Sequence, residues 1–251
     1  MKGWSEGLAI RCRFLAILIV ASLTSSVGRA GADEVGELIP WLLDNRESLE
    51  GVRFSDVIQA TTGHRMIEVD RESDAKMLKA LESAIGEAFK RLNEPGHEIQ
   101  TVGRVNEASR YVEDELFETV GSIPGWTCGI PTTADGKEQR SGYPDLRIVT
   151  DDGTVIYFDP KLYAPGSRDS SLRTFYYEPR GRTSKVGEDA IHLLAGFRHN
   201  GERGKEFRLD AWELVDLSKL RVQLKAEFQA SNRDVYTDDT VVGASADFVE
   251  E

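Results

Sequence analysis

Thiols and histidines are scarce in this chain, and their placement excludes several kinds of active site. The 251 residues contain two cysteines, Cys12 and Cys128, and four histidines. The histidines lack the H-x-x-x-H or H-E-x-x-H spacing of zinc hydrolases, and two distant cysteines cannot form a Cys-rich zinc site. The sequence also contains no G-x-S-x-G nucleophile elbow and no phosphate-binding P-loop. These absences leave carboxylates and basic side chains as the main candidates for chemistry.

The first 32 residues have the composition of an export signal. Basic residues precede an apolar run at positions 14–23, and Ala30-Gly31-Ala32 supplies small residues for cleavage before Asp33. The apolar run is too short to span a membrane. We therefore expect a secreted or periplasmic protein with no membrane segment after cleavage. Its one remaining cysteine, Cys128, cannot form an internal disulfide.

Negative charge dominates the chain, which carries a formal charge of −12. Removal of the signal takes away four basic side chains and one acidic side chain, which leaves about −15. This balance argues against a nucleic-acid binder, because neutralising phosphates supplies much of the affinity of such proteins. Residues 161–208 reverse the balance locally, with ten Lys or Arg against six Asp or Glu. This segment is either a phosphate-binding surface with aromatic residues that stack on bases, or a solvated loop with core aromatics.

A predicted β-hairpin between Pro144 and Lys161 is the most informative pattern. Apolar, β-favouring runs at residues 146–149 and 155–158 flank Asp151-Asp152-Gly153, which is a turn signal. A three-residue loop pairs Thr150 with Thr154, so residues further out pair in the same register.

In that register Asp145 lies opposite Asp159. Both carboxylates then share one face with Lys161, because alternate side chains of a strand point to the same side. The apolar residues of both strands point to the opposite, buried face. A two-residue loop would instead send the two aspartates to opposite faces.

Two opposed carboxylates repel each other, by an amount comparable to the ~0.2–1 kcal/mol of other cross-strand pairs. A hard cation such as Mg²⁺ offsets this repulsion when one or two carboxylates, water and a substrate phosphate hold it. An exposed hairpin with solvated charges is the alternative. A glycosidase is disfavoured, because the pair is closer than the ~5–5.5 Å that even retaining enzymes use.

The residues Pro144-Asp145 followed by Asp159-Pro160-Lys161 resemble the PD-(D/E)xK nuclease superfamily, which has the restriction-endonuclease-like fold. The resemblance covers approximately residues 104–236. It implies that Asp145 and Asp159 bind Mg²⁺ or Mn²⁺ and that Lys161 positions the attacking water. Pro160 departs from the pattern, because a residue without a backbone donor suits only an edge strand or a bulge.

The same resemblance implies a metal-associated glutamate on the helix that precedes the hairpin. Glu107 is the preferred candidate for this catalytic and metal-binding role, with Glu113 and Glu115 as rivals. A solvated helix glutamate is the alternative for Glu107.

The implied activity is metal-dependent hydrolysis of phosphodiester bonds, with DNA as the expected partner. Arg173 and Lys185 are candidate phosphate contacts, and Tyr176 is a candidate for stacking on bases. The sequence leaves a homodimer open. The rival interpretation is a catalytically inactive periplasmic binding or interaction module on the same fold.

The predicted fold class is α/β, with a restriction-endonuclease-like core whose mixed central sheet is flanked by helices. The predicted domains are a signal peptide at 1–32, a helical extension at 33–96, a catalytic domain at 97–237 and an acidic, disordered tail at 238–251. A strand is expected at residues 207–215. Helices are expected at residues 33–45, 54–60, 73–92, 105–117, 185–197 (containing a packed or hydrogen-bonded His192) and 218–228.

Overall fold

The computed structural model describes residues 37–41, 44, 50–167, 170, 175–179, 181–200, 206–225, 230–235, 237 and 239–242. Residues Glu50–Leu224 form one compact unit, and the terminal segments 1–49 and 225–251 form a second. In the second unit, residues 37–41 and 44 are helical. The predicted signal and most of the predicted acidic tail lie outside the described residues. Within the described part, no helix is long and apolar enough to cross a bilayer.

The compact unit begins with short strands and helices and continues with five consecutive strands. The strands are β1 Val52–Arg53, β2 Met66–Ile67, β3 Thr127–Gly129, β4 Leu146–Val149, β5 Val155–Tyr163, β6 Ala190–His199, β7 Leu209–Asp216 and β8 Arg221–Val222. The helices are α1 Phe54–Thr62, α2 Ala75–Leu92, α3 Val105–Gly121 and α4 Asn232–Val235, with 3₁₀ turns at Glu98–Thr101 and Leu217–Lys219.

Six of these strands form one mixed sheet in the order β2-β6-β5-β4-β3, and β7 also pairs with β6. Strand β6 runs parallel to β5 and β2, whereas β3–β4, β4–β5 and β6–β7 are antiparallel pairs. Strands β1 and β8 form a separate antiparallel pair. The predicted mixed sheet with flanking helices is therefore confirmed.

One face of the sheet carries the larger core. Helices α2 and α3 each have apolar residues at a spacing of three or four, which gathers them on one side. The buried members include Leu81, Ile85 and Leu92 of α2 and Ala108, Val112 and Leu116 of α3. They pack with the apolar side chains that β4 and β5 direct to the same face, which are Leu146, Ile148, Ile156 and Phe158.

A second, smaller core includes α1. Phe54 and Ile58 of α1 pack with Tyr143, which lies just before β4, and with Tyr157 of β5. Because side chains alternate along a strand, Asp159 and Lys161 point to the same face of β5 as Tyr157. The predicted catalytic face therefore adjoins an aromatic core.

Two of the predicted helices are wrong. A helix was expected at residues 185–197, but residues 190–199 form strand β6, and eight of these ten residues are buried. A central strand covered on both faces reads as a continuous apolar run, which periodicity alone cannot distinguish from a buried helix. Ser218 lies in the 3₁₀ turn before β8 and does not cap a long helix, while residues 226–229 lie outside the described part.

Pro160 lies within β5, at a place where the strand is paired on one side. The ladder between β4 and β5 ends at the pair Leu146 and Phe158, whereas the ladder between β5 and β6 continues to Tyr163. From Asp159 to Tyr163, β5 is thus paired only with β6, and its other side is an edge of the sheet. This edge explains how the strand accommodates a residue without a backbone donor.

The turn after α3 contacts the hairpin loop at Gly125. Gly125 has φ +81°, and a Cβ atom there would lie 2.9 Å from Asp151 Cβ. Gly153 has a similar φ of +86°, but a Cβ atom there would have no neighbour within 4 Å. A substitution at Gly153 would therefore introduce backbone strain alone, whereas one at Gly125 would introduce both backbone strain and a steric clash.

We predict that Gly125→Ala destabilises the protein more than Gly153→Ala. Both variants adopt an unfavourable left-handed conformation, which costs roughly 1–2 kcal/mol. Gly125→Ala adds an overpacking cost of about 1–3 kcal/mol. Urea unfolding of both variants measures the difference, and equal losses of unfolding free energy would contradict the close approach at Asp151.

Candidate active site

The β4–β5 hairpin has the predicted register. Thr150 N–H donates to Thr154 O at 3.0 Å, and Gly153 takes the left-handed conformation that closes a three-residue loop. Leu146 pairs with Phe158, so Asp145 and Asp159 are the next residues outward on the two limbs. The hairpin thus places both aspartates on the face that also carries Lys161.

The Lys161 ammonium lies between the two carboxylates. Its Nζ is 2.5 Å from Asp159 Oδ2 and donates a hydrogen bond to Asp145 Oδ2 at 3.2 Å. A further bond goes to Pro160 O at 3.2 Å. The contact with Asp159 is the shorter of the two ion pairs that Lys161 forms with the aspartates. The three side chains form one charge cluster.

The three side chains of the cluster differ in exposure, and this difference affects their pKa values. The Asp159 side chain is 2 % exposed, that of Asp145 is 14 % exposed and that of Lys161 is 29 % exposed. Burial raises the pKa of Asp159 to about 7, and the charge of Asp145 adds to this shift against the opposing effect of Lys161. Burial alone lowers the pKa of Lys161, but the charges of Asp159 and Asp145 outweigh it and raise that pKa overall. Lys161 is therefore a positively charged donor.

A divalent cation is not the only charge that offsets the repulsion between the two aspartates. Lys161 contacts both carboxylates and supplies a positive charge from the chain itself. A metal ion in this site would therefore compete with the ammonium for the same oxygens.

The three candidate helix glutamates have different surroundings. Glu107 is exposed near the start of α3, whereas Glu113 is half-buried. Burial raises the pKa of Glu113, and the charge of Asp145 raises it further while Lys161 opposes the shift. Glu115 instead lies 3.5 Å from His97 and 3.8 Å from Arg91. The pKa of Glu113 thus responds to the charges of Asp145 and Lys161, and the choice among the three glutamates stays a prediction.

Lys185 is buried and does not form a surface contact for phosphate. Its Nζ donates to Gln139 O at 3.1 Å and to Arg140 O at 3.3 Å. Burial lowers the pKa of Lys185, while the charges of Asp145, Asp159 and Glu113 oppose that shift. Lys185 is thus a buried lysine whose pKa responds to the charges of the acidic cluster.

The other two predicted nucleic-acid contacts have different outcomes. Tyr176 is half-exposed and, with Tyr177 and Lys185, lines a small cavity of about 20 Å³. Arg173 lies outside the described residues. Half of the ten basic residues in 161–208 also lie there, and Arg198 and Arg208 form ion pairs with nearby acids. The phosphate-binding surface therefore stays a prediction.

Tyr143 and His192 form a buried pair beside the cluster, which the sequence did not predict. The Tyr143 hydroxyl and His192 Nδ1 are 2.6 Å apart, and both residues are buried. Burial lowers the pKa of His192 to about 3, so its imidazole is neutral. The expectation of a hydrogen-bonded histidine is correct, although the residue lies in a strand. A separation of 49 residues gave no local signal for the pairing.

The residues present fit a hard divalent cation. Asp145 and Asp159 already hold one positive charge between them, and the Asp159 side chain is buried. Mg²⁺ commonly uses one or two protein carboxylates and retains several waters. No group of three or more His, Cys, Asp or Glu side chains among the described residues is suited to hold a metal ion. The donor set therefore suits Mg²⁺ or Mn²⁺ better than zinc, which favours nitrogen and sulfur.

The chain is similar to a known protein family and to a known relative. Residues 47–239 match the family model described as the Type II restriction enzyme MjaV family. The chain is also 29% identical over 209 residues to the type II restriction enzyme MjaV of Methanocaldococcus jannaschii. That alignment covers 78% of this chain and 90% of the relative. Both matches include the hairpin and helix α3, and the resemblance to restriction-endonuclease-like nucleases is thereby confirmed.

We predict that, in a metal-free buffer, the unfolding free energy of Asp159→Asn increases relative to that of the wild type as pH rises. The native protein binds the Asp159 proton more tightly than the unfolded chain, since its pKa is raised from 3.8 to about 7. Ionisation of Asp159 therefore costs stability between these values, and the asparagine avoids that cost. From pH 4 to pH 8 the variant should gain more than about 1 kcal/mol relative to the wild type, since one pKa unit is ~1.4 kcal/mol. Unfolding in chelator measures this, and a constant difference would contradict the raised pKa.

Proposed function

The chain belongs to the type II restriction enzyme MjaV family, since the family model covers residues 47–239, and we propose that it is a metal-dependent nuclease that hydrolyses phosphodiester bonds in DNA. The cluster of Asp145, Asp159 and Lys161 is the observation that carries this proposal. It combines two oxygen donors, one of them buried, with a cation that can bind an anionic substrate. Membership of a restriction enzyme family makes DNA the expected substrate.

The carboxylates of Asp145 and Asp159 would hold Mg²⁺ or Mn²⁺. When bound, such an ion polarises a phosphate and lowers the pKa of a bound water. Glu113 would support the site from α3 through its charge, in place of Glu107. The carboxylates of Asp145 and Asp159 both contact Lys161 Nζ, and two carboxylates this close would favour a divalent ion over a monovalent one.

Lys161 would act on the water and the phosphate. Its ammonium donates to Asp145, and a divalent ion at the carboxylates would release this N–H group. The freed N–H group can then hold the attacking water or a phosphate oxygen. The raised pKa keeps Lys161 protonated, which suits positioning and charge neutralisation rather than proton abstraction.

The protein is proposed to act outside the cytoplasm. The predicted export signal ends at residue 32, and the family match begins at residue 47. The nuclease region would therefore remain complete after signal cleavage. The acidic balance of the mature chain would limit nonspecific adhesion to DNA, since electrostatic attraction supplies most of such binding.

We predict that purified protein cleaves duplex DNA with Mg²⁺ or Mn²⁺ and not in chelator. Asp145→Asn, Asp159→Asn and Lys161→Ala should each reduce the cleavage rate by at least about 100-fold, because each removes a metal ligand or the positioning cation. Cleavage at equal rates by the wild type and these variants would refute the site. Absence of cleavage by the wild type, together with tight DNA binding, would instead favour a binding module.

Glu113→Gln and Glu107→Gln form a matched pair in the same assay. Both replace one carboxylate of α3 by an amide; the Glu113 carboxylate is half-buried with a pKa that responds to Asp145 and Lys161, whereas Glu107 is exposed. Glu113→Gln should slow cleavage roughly tenfold, as groups that support metal ligands typically do. Glu107→Gln should stay within about twofold of the wild type. The reverse order would restore Glu107 as the helix acid.

We predict that the full chain expressed in a Gram-negative bacterium is exported and begins at Asp33. The apolar run at residues 14–23 directs export, so Leu18→Arg should retain the uncleaved chain in the cytoplasm. N-terminal sequencing of the periplasmic and cytoplasmic fractions measures both outcomes. Wild-type protein that keeps Met1 and remains in the cytoplasm would overturn the export proposal.

A further inference from the structure

The buried pair formed by Tyr143 and His192 connects the two limbs of the charge cluster. Tyr143 lies two residues before Asp145, on the segment that leads into β4. His192 lies on β6, where it is paired with Tyr157, and Tyr157 lies two residues before Asp159 on β5. A single contact thus joins the neighbourhood of one carboxylate to that of the other.

The contact between these side chains is close. The Tyr143 hydroxyl and His192 Nδ1 are separated by 2.6 Å, which is a short hydrogen bond in either tautomer of the imidazole. The two rings are stacked, with an interplanar angle of 17° and centroids 5.9 Å apart. The Tyr157 ring packs edge-on against the same imidazole at 5.0 Å.

Three further aromatic rings pack against the ring of Tyr143. Phe54, Phe175 and Tyr177 contact the Tyr143 ring edge-on, with centroids 5.5, 5.6 and 5.8 Å away. The ring is therefore enclosed, and its hydroxyl has one defined direction. Such a support differs from a flexible surface contact, which could not fix a neighbouring carboxylate.

Packing alone does not account for an imidazole at position 192. His192 is completely buried, and its Nε2 has no hydrogen-bond partner among the described residues. A buried polar atom without a partner costs about 1–3 kcal/mol, so an apolar side chain would serve packing better. What the imidazole provides, and an apolar side chain could not, is the hydrogen bond between Nδ1 and Tyr143.

Both partners stay uncharged over the range in which a nuclease works. Burial lowers the pKa of His192 to about 3. Burial raises the pKa of Tyr143 well above 10, and the charges of Asp159 and Asp145 contribute to that shift. The bond therefore joins two neutral groups and does not change character with pH. His192 is also too buried to serve as a general base for substrate.

Asp145 depends on this support because its own strand begins after it. The β4 ladder starts at Leu146, so the position of Asp145 is set on one side by the ladder and on the other by Tyr143 and Pro144. Given the metal-dependent cleavage proposed above, we propose that the hydrogen bond between Tyr143 and His192 positions the Asp145 carboxylate for metal binding. Tyr143 and His192 are positioning residues, since neither is placed in contact with metal or substrate.

Four variants test this role. Tyr143→Phe removes the hydroxyl and keeps the ring. His192→Asn places an amide near the position of Nδ1, whereas His192→Gln places it near the position of Nε2. Phe54→Leu loosens the packing around Tyr143 without removing a hydrogen bond, and it controls for general destabilisation.

The measurements are the Mn²⁺ concentration that gives half-maximal DNA cleavage, the KM for DNA and the Mn²⁺-induced shift in melting temperature. Tyr143→Phe and His192→Gln should raise the Mn²⁺ requirement roughly tenfold and shrink the Mn²⁺-induced shift, with KM for DNA unchanged. His192→Asn should restore the Mn²⁺ requirement to within about threefold of the wild type. Phe54→Leu should lower the melting temperature and leave the Mn²⁺ requirement unchanged.

An unchanged Mn²⁺ requirement in Tyr143→Phe would overturn the positioning role. Equal increases in Tyr143→Phe and Phe54→Leu would also overturn it, because loosened packing would then be the cause. If the wild type binds Mn²⁺ but does not cleave DNA, the proposed nuclease function fails. The melting shifts of the same four variants then decide the positioning role by themselves.

Discussion

The ion contacts that Lys161 makes with Asp145 and Asp159 organise the candidate site. A loop of three residues places the two aspartates on one face, and the ammonium lies between them at 3.2 and 2.5 Å. Without this cation, two carboxylates on neighbouring strands would repel each other, one of them in a buried position. The chain thus carries its own counterion, and the proposed metal ion would replace it rather than fill a site that lacks positive charge.

The sheet provides two different environments on its two faces. Helices α2 and α3 cover one face with aliphatic side chains, which supplies the larger core. The other face holds Tyr157, Asp159 and Lys161 beside an aromatic core that includes α1. Burial against this second core raises the pKa of Asp159, and the same core encloses Tyr143 and His192. Packing and site chemistry are therefore coupled through β5 and β6.

Local patterns were sufficient to predict the hairpin, its register and the helices α1, α2 and α3. They depend on turn chemistry and on apolar spacing, which act over a few residues. Strand β6 was mistaken for a helix because both of its faces are covered, so its apolar run has no strand period. The sequence also could not decide between Glu107 and Glu113 as the helix acid. At 100° per residue the two acids lie on opposite sides of the buried stripe of α3, and only the packing of α3 on the sheet decides which side faces the cluster. The contacts of Lys185 and the Tyr143–His192 bond join distant segments, so local sequence could not show them.

The family match and the charge cluster lead to the same proposed chemistry from independent observations. The most direct test is a crystal of the wild-type protein soaked in Mn²⁺ and measured for anomalous scattering. The expected result is an anomalous peak bounded by Asp145 and Asp159, with Lys161 Nζ displaced from its position between them. Absence of a peak at these carboxylates, with Lys161 still in contact with both at saturating Mn²⁺, would contradict the account.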